Sequence, residues 1–424
     1  MKFGHAFKEA LEGESYPSHW VERAIPYRQL KKVLGKVCEE LTKNGYDPDT
    51  LHKLLAARNA EYSLMADGSP LLQPKLVVRP ALNAPGSLAS DSLAKLRALA
   101  EPVESPLDPT GPADPDHDEQ CGWVKIPLDS DAKFFSILQT DVSELDSLQS
   151  QECQSMNDDI CILGSEISLV AKPHKGLIRL SKSDLYRWRE IFELYLAAQV
   201  FFSTTEAAGG SRNSGKARKQ LIWFQDEVNR RKLPHKFKLE ASAAAYQRFL
   251  SLNATLLQNL QFQELNQTAI TKIIKKFDKQ TSLGVKAEFP KVMNSANFIV
   301  ESIAKGICAQ LSREVLVIVP QIVDYTCTIC LSLCWLPIRL DCDHIFCIRC
   351  MIKMQNRNKQ QCPLCRANTV QLATEAHIDE ELMSFLERWF PKETKEKQAY
   401  NEIERRKELL GDIYTDTHTP CIIM

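Results

Sequence analysis

The sequence predicts a mainly α-helical protein with one small metal-built module toward its C-terminal end. Three observations lead to that class. Apolar residues recur three and four apart on both sides of residues 67–130, the period of helices with one buried face. Seven cysteines and one histidine fall in closely spaced pairs between Cys327 and Cys365, an arrangement suited to zinc. A chain of 424 residues with 44% hydrophobic content is long enough for two or three domains with ordinary cores.

The helices can be placed in order. Phe3, Phe7 and Leu11 lie four apart, and Leu30, Leu34, Val37 and Leu41 repeat the pattern in a second segment. Composition then changes. Residues 67–130 hold Pro70, Pro74, Pro80, Pro85 and six further prolines, and from Ala98 to Val124 there is no Lys or Arg while seven acidic residues accumulate. Such a stretch buries too little apolar surface to order itself, so it is expected to be a mostly disordered insertion. Beyond it, Phe135, Leu138, Val142, Leu145 and Leu148 form the seam of a long helix packed on another. Further helices are expected at 183–206, stopped by Gly209 and Gly210, at 216–231 and at 239–262. On this reading the N-terminal domain is all-α.

Bulk charge says nothing about partners, because the net charge is only −1. No apolar run approaches the length of a bilayer span; Val315 to Val319 is the purest, and Pro320 stops it. The residues from Met1 to Glu9 lack the apolar stretch of a secretory signal. A cytoplasmic or nuclear setting is therefore expected, reducing enough to keep cysteines free for metal.

The metal ligands read Cys327-x2-Cys330-x11-Cys342-x-His344-x2-Cys347-x2-Cys350-x11-Cys362-x2-Cys365. A Cys-x2-Cys turn supplies two thiolates from one knuckle, and zinc takes four ligands in a tetrahedron. Three such pairs and one Cys-x-His pair complete two sites, leaving no position open for water, so both zincs are expected to be structural. Structural zinc contributes roughly 10–16 kcal/mol in small peptides, enough to fold a module too short to bury a core. Cys334 lies inside the first long loop but makes no Cys-x2-Cys pair, and it is left out of the sites. Basic residues slightly outnumber acidic ones between 327 and 366. Neither the ligand spacing nor the scarcity of aromatics suits a groove-binding or base-stacking module, so no nucleic-acid partner is expected.

This ligand pattern resembles the RING finger of the C3HC4 type. The resemblance implies interleaved sites, with Cys327, Cys330, Cys347 and Cys350 on one zinc and Cys342, His344, Cys362 and Cys365 on the other. Most RING fingers are E3 ubiquitin ligases that grip a ubiquitin-charged E2 enzyme and hold the thioester ready for attack by a substrate lysine, which is catalysis by positioning. Matched residue by residue, the E2 contacts are Ile329, Met354 and Pro363, and Arg366 corresponds to the linchpin that bridges E2 and ubiquitin. Met354 stands where Trp or Leu is common, and a flexible Met specifies a partner less strictly. The alternative is a scaffold that binds partners through this module without transferring ubiquitin.

A second resemblance comes from a lysine stripe. Lys272, Lys275, Lys276 and Lys279 fall at i, i+3, i+4 and i+7, opposite Ile270, Ile273, Ile274 and Phe277. Aligned ammonium groups repel, and a multiply charged anion relieves that cost. Met1-Lys2-Phe3-Gly4, Tyr27-Arg-Gln-Leu-Lys31-Lys32 and the stripe, in that order, resemble the SPX domain, a helical bundle with two long core helices. The family binds inositol polyphosphates and pyrophosphates. The matching contacts here are Tyr27, Lys31, Lys272, Lys275, Lys276 and Lys279, with Lys2 a further contributor and His5 standing where many members carry Lys. These resemblances divide the chain into a split SPX domain at 1–285, interrupted at 67–130, connecting helices at 286–326, the RING at 327–366, a helical extension at 367–411 and a flexible tail at 412–424. They imply a ligase regulated by inositol phosphate; plant members act on phosphate transporters. The ending Cys421-Ile422-Ile423-Met424 is a C-a-a-X box that predicts farnesylation of Cys421, and through it peripheral membrane association. One such chain anchors only marginally.

Overall fold

The computed structural model describes residues 3–14, 16–65, 73–79, 102–103, 123–173, 183–202, 212–286, 289 and 300–410. The chain forms two compact units. The first comprises Met1–Asp159, Val200–Lys219 and Leu250–Gln310, the second Ile160–Gln199, Gln220–Phe249 and Leu311–Met424. The elements, in order, are α1 (Phe3–Gly13), α2 (Ser18–Glu22), α3 (Tyr27–Lys43), α4 (Pro48–Ala56), β1 (Ala60–Met65), β2 (Gln73–Val78), β3 (Pro102–Val103) and β4 (Trp123–Ile126). There follow α5 (Asp129–Ala171), α6 (Leu185–Ala198), α7 (Ser214–Arg230), α8 (Glu240–Thr281) and α9 (Val300–Glu314). The zinc-ligand region contributes β5 (Pro337–Arg339), β6 (Ile345–Cys347) and α10 (Ile348–Asn356), and the extension α11 (Glu380–Trp389) and α12 (Pro391–Leu410). The mainly-α class holds.

In the first unit the apolar stripe of α3, from Leu30 to Leu41, is buried together with Phe134, Phe135 and Phe277. Phe277 of α8 sits 4.9 Å from the Phe134 ring and 5.3 Å from that of Phe135. The start of α5 leaves backbone N–H groups without helical partners. Those of Asp129 and Ser130 both donate to the Glu40 carboxylate, each at 2.9 Å, so α3 caps a helix that begins some ninety positions later in the chain. The expectation of an all-α domain is overturned here. β1, β2, β4 and β3 form an antiparallel four-stranded sheet in that order, and β2 to β4 come from within 67–130. Leu76, Val77, Val78 and Ile126 are buried, and that apolar area is what these short segments gain by pairing. The rest of the insertion lies outside the described residues.

In the second unit α6 buries Trp188, Ile191 and Phe192 completely. It ends at Gln199, which takes a left-handed conformation with φ 47°, well before the Gly209-Gly210 stop the sequence suggests. The buried Asp184 carboxylate accepts from the backbone N–H of Lys238 at 2.9 Å and of Leu239 at 3.0 Å, fixing the turn that leads into α8. Gly164 on α5 faces the Glu314 carbonyl so closely that a Cβ would collide with it. Only glycine permits that approach.

Arg189 organises the same unit. Its Nε donates to the Pro320 carbonyl at 3.0 Å and its Nη2 to the Trp389 carbonyl at 2.8 Å. Its guanidinium lies 4.2 Å from the Phe390 ring centroid and 5.0 Å from that of Tyr186. Nη1 stands 3.6 Å from the Glu393 carboxylate, an ion pair beyond hydrogen-bond distance; the Tyr186 hydroxyl donates to Glu393 at 3.0 Å. The planar fork thus ties α6 to the residues before and after the zinc-ligand region.

Candidate functional site

The first ligand cluster gathers Cys327, Cys330, Cys347 and Cys350, and the second Cys342, His344, Cys362 and Cys365, with the ligand atoms of each within 4.8 Å of one another. The interleaved pairing is therefore the observed one. Thiolates about 2.3 Å from a zinc stand roughly 3.8 Å apart in a tetrahedron, and the Cys330 and Cys347 sulfurs are 3.7 Å apart. His344 Nδ1 is buried with no hydrogen-bond partner, as a ring nitrogen reserved for a metal must be. The residues present fit two zinc ions with closed shells.

The backbone explains why the pairs close. Leu331 N–H bonds the Cys327 carbonyl at 2.8 Å, and Arg366 N–H bonds the Cys362 carbonyl at 2.9 Å. Both residues, and Asp343 between the Cys342 and His344 ligands, are left-handed, with φ 55°, 63° and 62°. A non-glycine residue pays about 1–2 kcal/mol for this, a cost that ligation offsets. Between the knuckles, β5 pairs with β6 and α10 follows directly from the Cys347 ligand. Cys334 belongs to neither cluster. Its hydrogen bond to Cys327, followed by burial, pushes its thiol well above the usual range, so it stays protonated.

Ile329, Met354, Pro363 and Arg366 line one open groove of about 670 Å³. Ile329 is 41% exposed although apolar. The first and last knuckles contribute Ile329 and Pro363, and α10 contributes Lys353 and Met354. Asp379 N–H donates to the Pro337 carbonyl at 2.9 Å and Arg339 Nε to the Asp379 carboxylate at 3.1 Å, so the extension braces the hairpin.

In the first unit, Lys272, Lys275 and Lys279 are exposed while Ile270, Ile273, Ile274 and Phe277 are buried, as the stripe requires. The Ile25 N–H donates to Asn266 Oδ1 at 2.9 Å, and the Cys38 thiol to the Gln280 carbonyl at 3.9 Å. Those pairs are separated by 241 and 242 positions. The near-constant offset means that α3 and α8 run side by side in one direction, which brings Lys31 level with Lys272. Tyr27 packs edge-on against Phe3 at 4.9 Å, and burial raises its hydroxyl pKa, so it remains a donor.

The SPX domain family matches residues 1–293, and the zinc finger of C3HC4 type (RING finger) matches residues 327–365. The chain belongs to the SPX–RING family. It is 33% identical to a RING finger protein of Schizosaccharomyces pombe over 480 residues, covering 100% of this chain and 97% of that one. It is 29% identical to the "Transcriptional regulator of yeast form adherence 3" of Candida albicans, covering 100% of both. A breast cancer type 1 susceptibility protein homolog of Rattus norvegicus is 52% identical over 42 residues, 9% of this chain and 2% of that protein. No solved structure matches.

In this SPX–RING protein the eight predicted zinc ligands stand in two clusters, and Ile329, Met354, Pro363 and Arg366 line one groove. Lys2 and Cys421, with the tail at 412–424, lie outside the described residues. Sequence reading missed the contacts that hold the RING from outside. Lys397 of α12 reaches Ser332 Oγ at 2.7 Å and Cys330 Sγ at 3.6 Å, and Arg349 pairs with Glu408 at 2.5 Å. Nothing in local spacing signals either one.

Proposed function

We propose that this SPX–RING protein is a RING-type E3 ubiquitin ligase whose SPX domain senses inositol polyphosphates or pyrophosphates. The observation that carries the reading is the common groove of Ile329, Met354, Pro363 and Arg366 beside two closed four-ligand clusters. It offers a charged E2 an apolar seat and a planar cation in one place, with no nucleophile of its own. Ubiquitin passes from the E2 thioester to a substrate lysine, and the RING contributes by restricting the geometry of that attack. The anion site is the row formed by Lys31, Lys272, Lys275, Lys276 and Lys279 with the Tyr27 hydroxyl, where flexible ammonium groups surround a ligand phosphorylated on many sides. Phosphate transporters are the substrate class that the family resemblance favours. Farnesylation of Cys421 would hold the ligase near such membrane substrates, and no helix among the described residues is long and apolar enough to cross a membrane.

Autoubiquitination with a panel of E2 enzymes tests the ligase reading. Chains made by the wild type and lost in Arg366→Ala and Cys347→Ser are expected. No chains with any E2, from protein shown to hold two zincs, would leave an inositol-phosphate-binding scaffold. Titration calorimetry with inositol hexakisphosphate tests the sensor, and intact mass from native cells tests the lipid.

A further inference from the structure

The two zinc sites differ in charge. Three thiolates and a neutral imidazole around Zn²⁺ leave one negative charge, whereas the four thiolates of Cys327, Cys330, Cys347 and Cys350 leave two. Uncompensated charge at a largely buried site is costly, and Cys327 and Cys347 are fully buried. A cation supplied by the protein would relieve it.

Lys397 is placed to do so. It is 8% exposed, which is rare for lysine. Its ammonium lies 2.7 Å from Ser332 Oγ, 3.6 Å from Cys330 Sγ and 5.1 Å from the Tyr400 ring centroid. Ser332 Oγ is itself 3.1 Å from Cys330 Sγ. No carboxylate among the described residues pairs with Lys397, although α12 carries several that pair elsewhere. Glu404 and Glu408 follow Lys397 by seven and eleven positions, which returns them to within about 20° of its helical face. Glu408 meets Arg349 at 2.5 Å and Lys353 at 3.7 Å, both on α10. One face of α12 therefore lies along the RING, held at its far end by ion pairs, with Lys397 delivered to the knuckle that carries Ile329.

We propose that Lys397 is a positioning residue that compensates the four-thiolate zinc site and fixes the Cys327–Ser332 knuckle, so that Ile329 is presented to the E2. The zinc half stands on geometry alone; the E2 half rests on the ligase reading.

The test uses the full chain with Lys397→Met, which keeps the apolar stem, Lys397→Arg as the conservative rescue, and Ser332→Ala. Zinc transfer to a chromogenic chelator is followed, together with ¹¹³Cd NMR of the cadmium-substituted protein, in which four-thiolate and three-thiolate–imidazole sites resonate separately. In Lys397→Met one zinc of the two should leave about 10–100-fold faster, the range for losing a partner of a metal ligand. Only the four-thiolate resonance should move, and Lys397→Arg should restore most of both. With E2–ubiquitin, KM should rise while kcat holds. Unchanged release and both resonances unmoved in Lys397→Met would overturn the proposal. A perturbed zinc site with an unchanged KM would remove the positioning half. Should Lys397→Met fail to fold, Ser332→Ala decides, by a smaller shift of the same resonance or by none. A wild type that makes no chains would sink the ligase reading and leave the zinc measurements standing.

Discussion

Replacing Arg189 should loosen the whole C-terminal extension from α6. Arg189→Met keeps the aliphatic stem but removes the donors to the Pro320 and Trp389 carbonyls and the cation over Phe390. Two hydrogen bonds from a charged group are worth about 1.5–3 kcal/mol each, and breaking a buried charged contact costs about 3–5 kcal/mol. Arg189 is only 6% exposed, so solvent cannot replace what is lost. The Tyr186 hydroxyl still bonds Glu393, which keeps the estimate at about 3–5 kcal/mol. Global unfolding of a chain with two units is a poor readout, because it need not be two-state. Native-state hydrogen exchange resolves the opening of individual helices. Amides of α11 and of the first turns of α12 should lose protection by roughly 150- to 5,000-fold, from 1.36 kcal/mol per decade, while those of α3 stay unchanged. Arg189→Lys should fall between, since an ammonium cannot span both carbonyls in the plane of a fork. Protection in α12 within about threefold of the wild type would refute the hub.

Three further outcomes follow from particular groups. Lys272→Ala should weaken inositol hexakisphosphate binding about 5- to 10-fold by calorimetry, with a shallower salt dependence and unchanged helicity, because its side chain is exposed. Asp131 is held by the Tyr62 hydroxyl at 2.8 Å, and burial raises its pKa from 3.8 to about 7. Its contribution to stability is full below about 3.8 and is lost as pH rises through about 7. Asp131→Asn should therefore gain roughly 3–5 kcal/mol relative to the wild type between pH 4 and pH 8 in denaturant titrations, and a pH-independent difference would show that Asp131 is ionised throughout. Chelation of zinc should expose the amides of residues 327–366 to rapid exchange while α3 and α8 keep their protection, since structural zinc supplies most of the folding free energy of such modules; retained protection around Phe346 would contradict it.

The zinc ligands were legible because the constraint is local: each knuckle needs two thiolates within one turn, and the spacing prints that need directly. The pairing between knuckles is not local, and only the family resemblance supplied it before the fold did. Helix faces were legible by period, yet α8 was cut short at 262 because Asn259, Gln263 and Asn266 interrupt the apolar pattern. In the fold these residues are buried: Gln263 Nε2 donates to Asn259 Oδ1 at 2.7 Å, and Asn266 donates to the Phe262 carbonyl and accepts from the Ile25 N–H. A single helix of 42 residues results. The sheet was missed for a different reason. Its strands run six, six, two and four residues, and prolines 74 and 102 sit inside two of them, where composition argues for disorder. Caps supplied from afar, such as Glu40 on α5, leave no trace in the segment they serve.

The family match to the RING ends at residue 365, but the mechanical unit does not. β5 and β6 have three residues each, too few to resist twisting alone. The zincs fix the knuckles, while the hairpin's other edge is held by Asp379 on Pro337 and Arg339 and by the Ile338–Ile378 bridge. Gln355 of α10 donates to the Val370 and Ala373 carbonyls, each at 2.9 Å. α12 then closes the other side through Lys397 on the first knuckle and Glu404 and Glu408 on α10. A groove that works by holding a partner in one geometry is only as sharp as its walls are rigid. Here the walls belong to the extension as much as to the metal ligands. The surface that would meet an E2 is thus a property of residues 327–410 together, and α12, braced on Arg189 at its start, is the element through which a change at α6 could reach it.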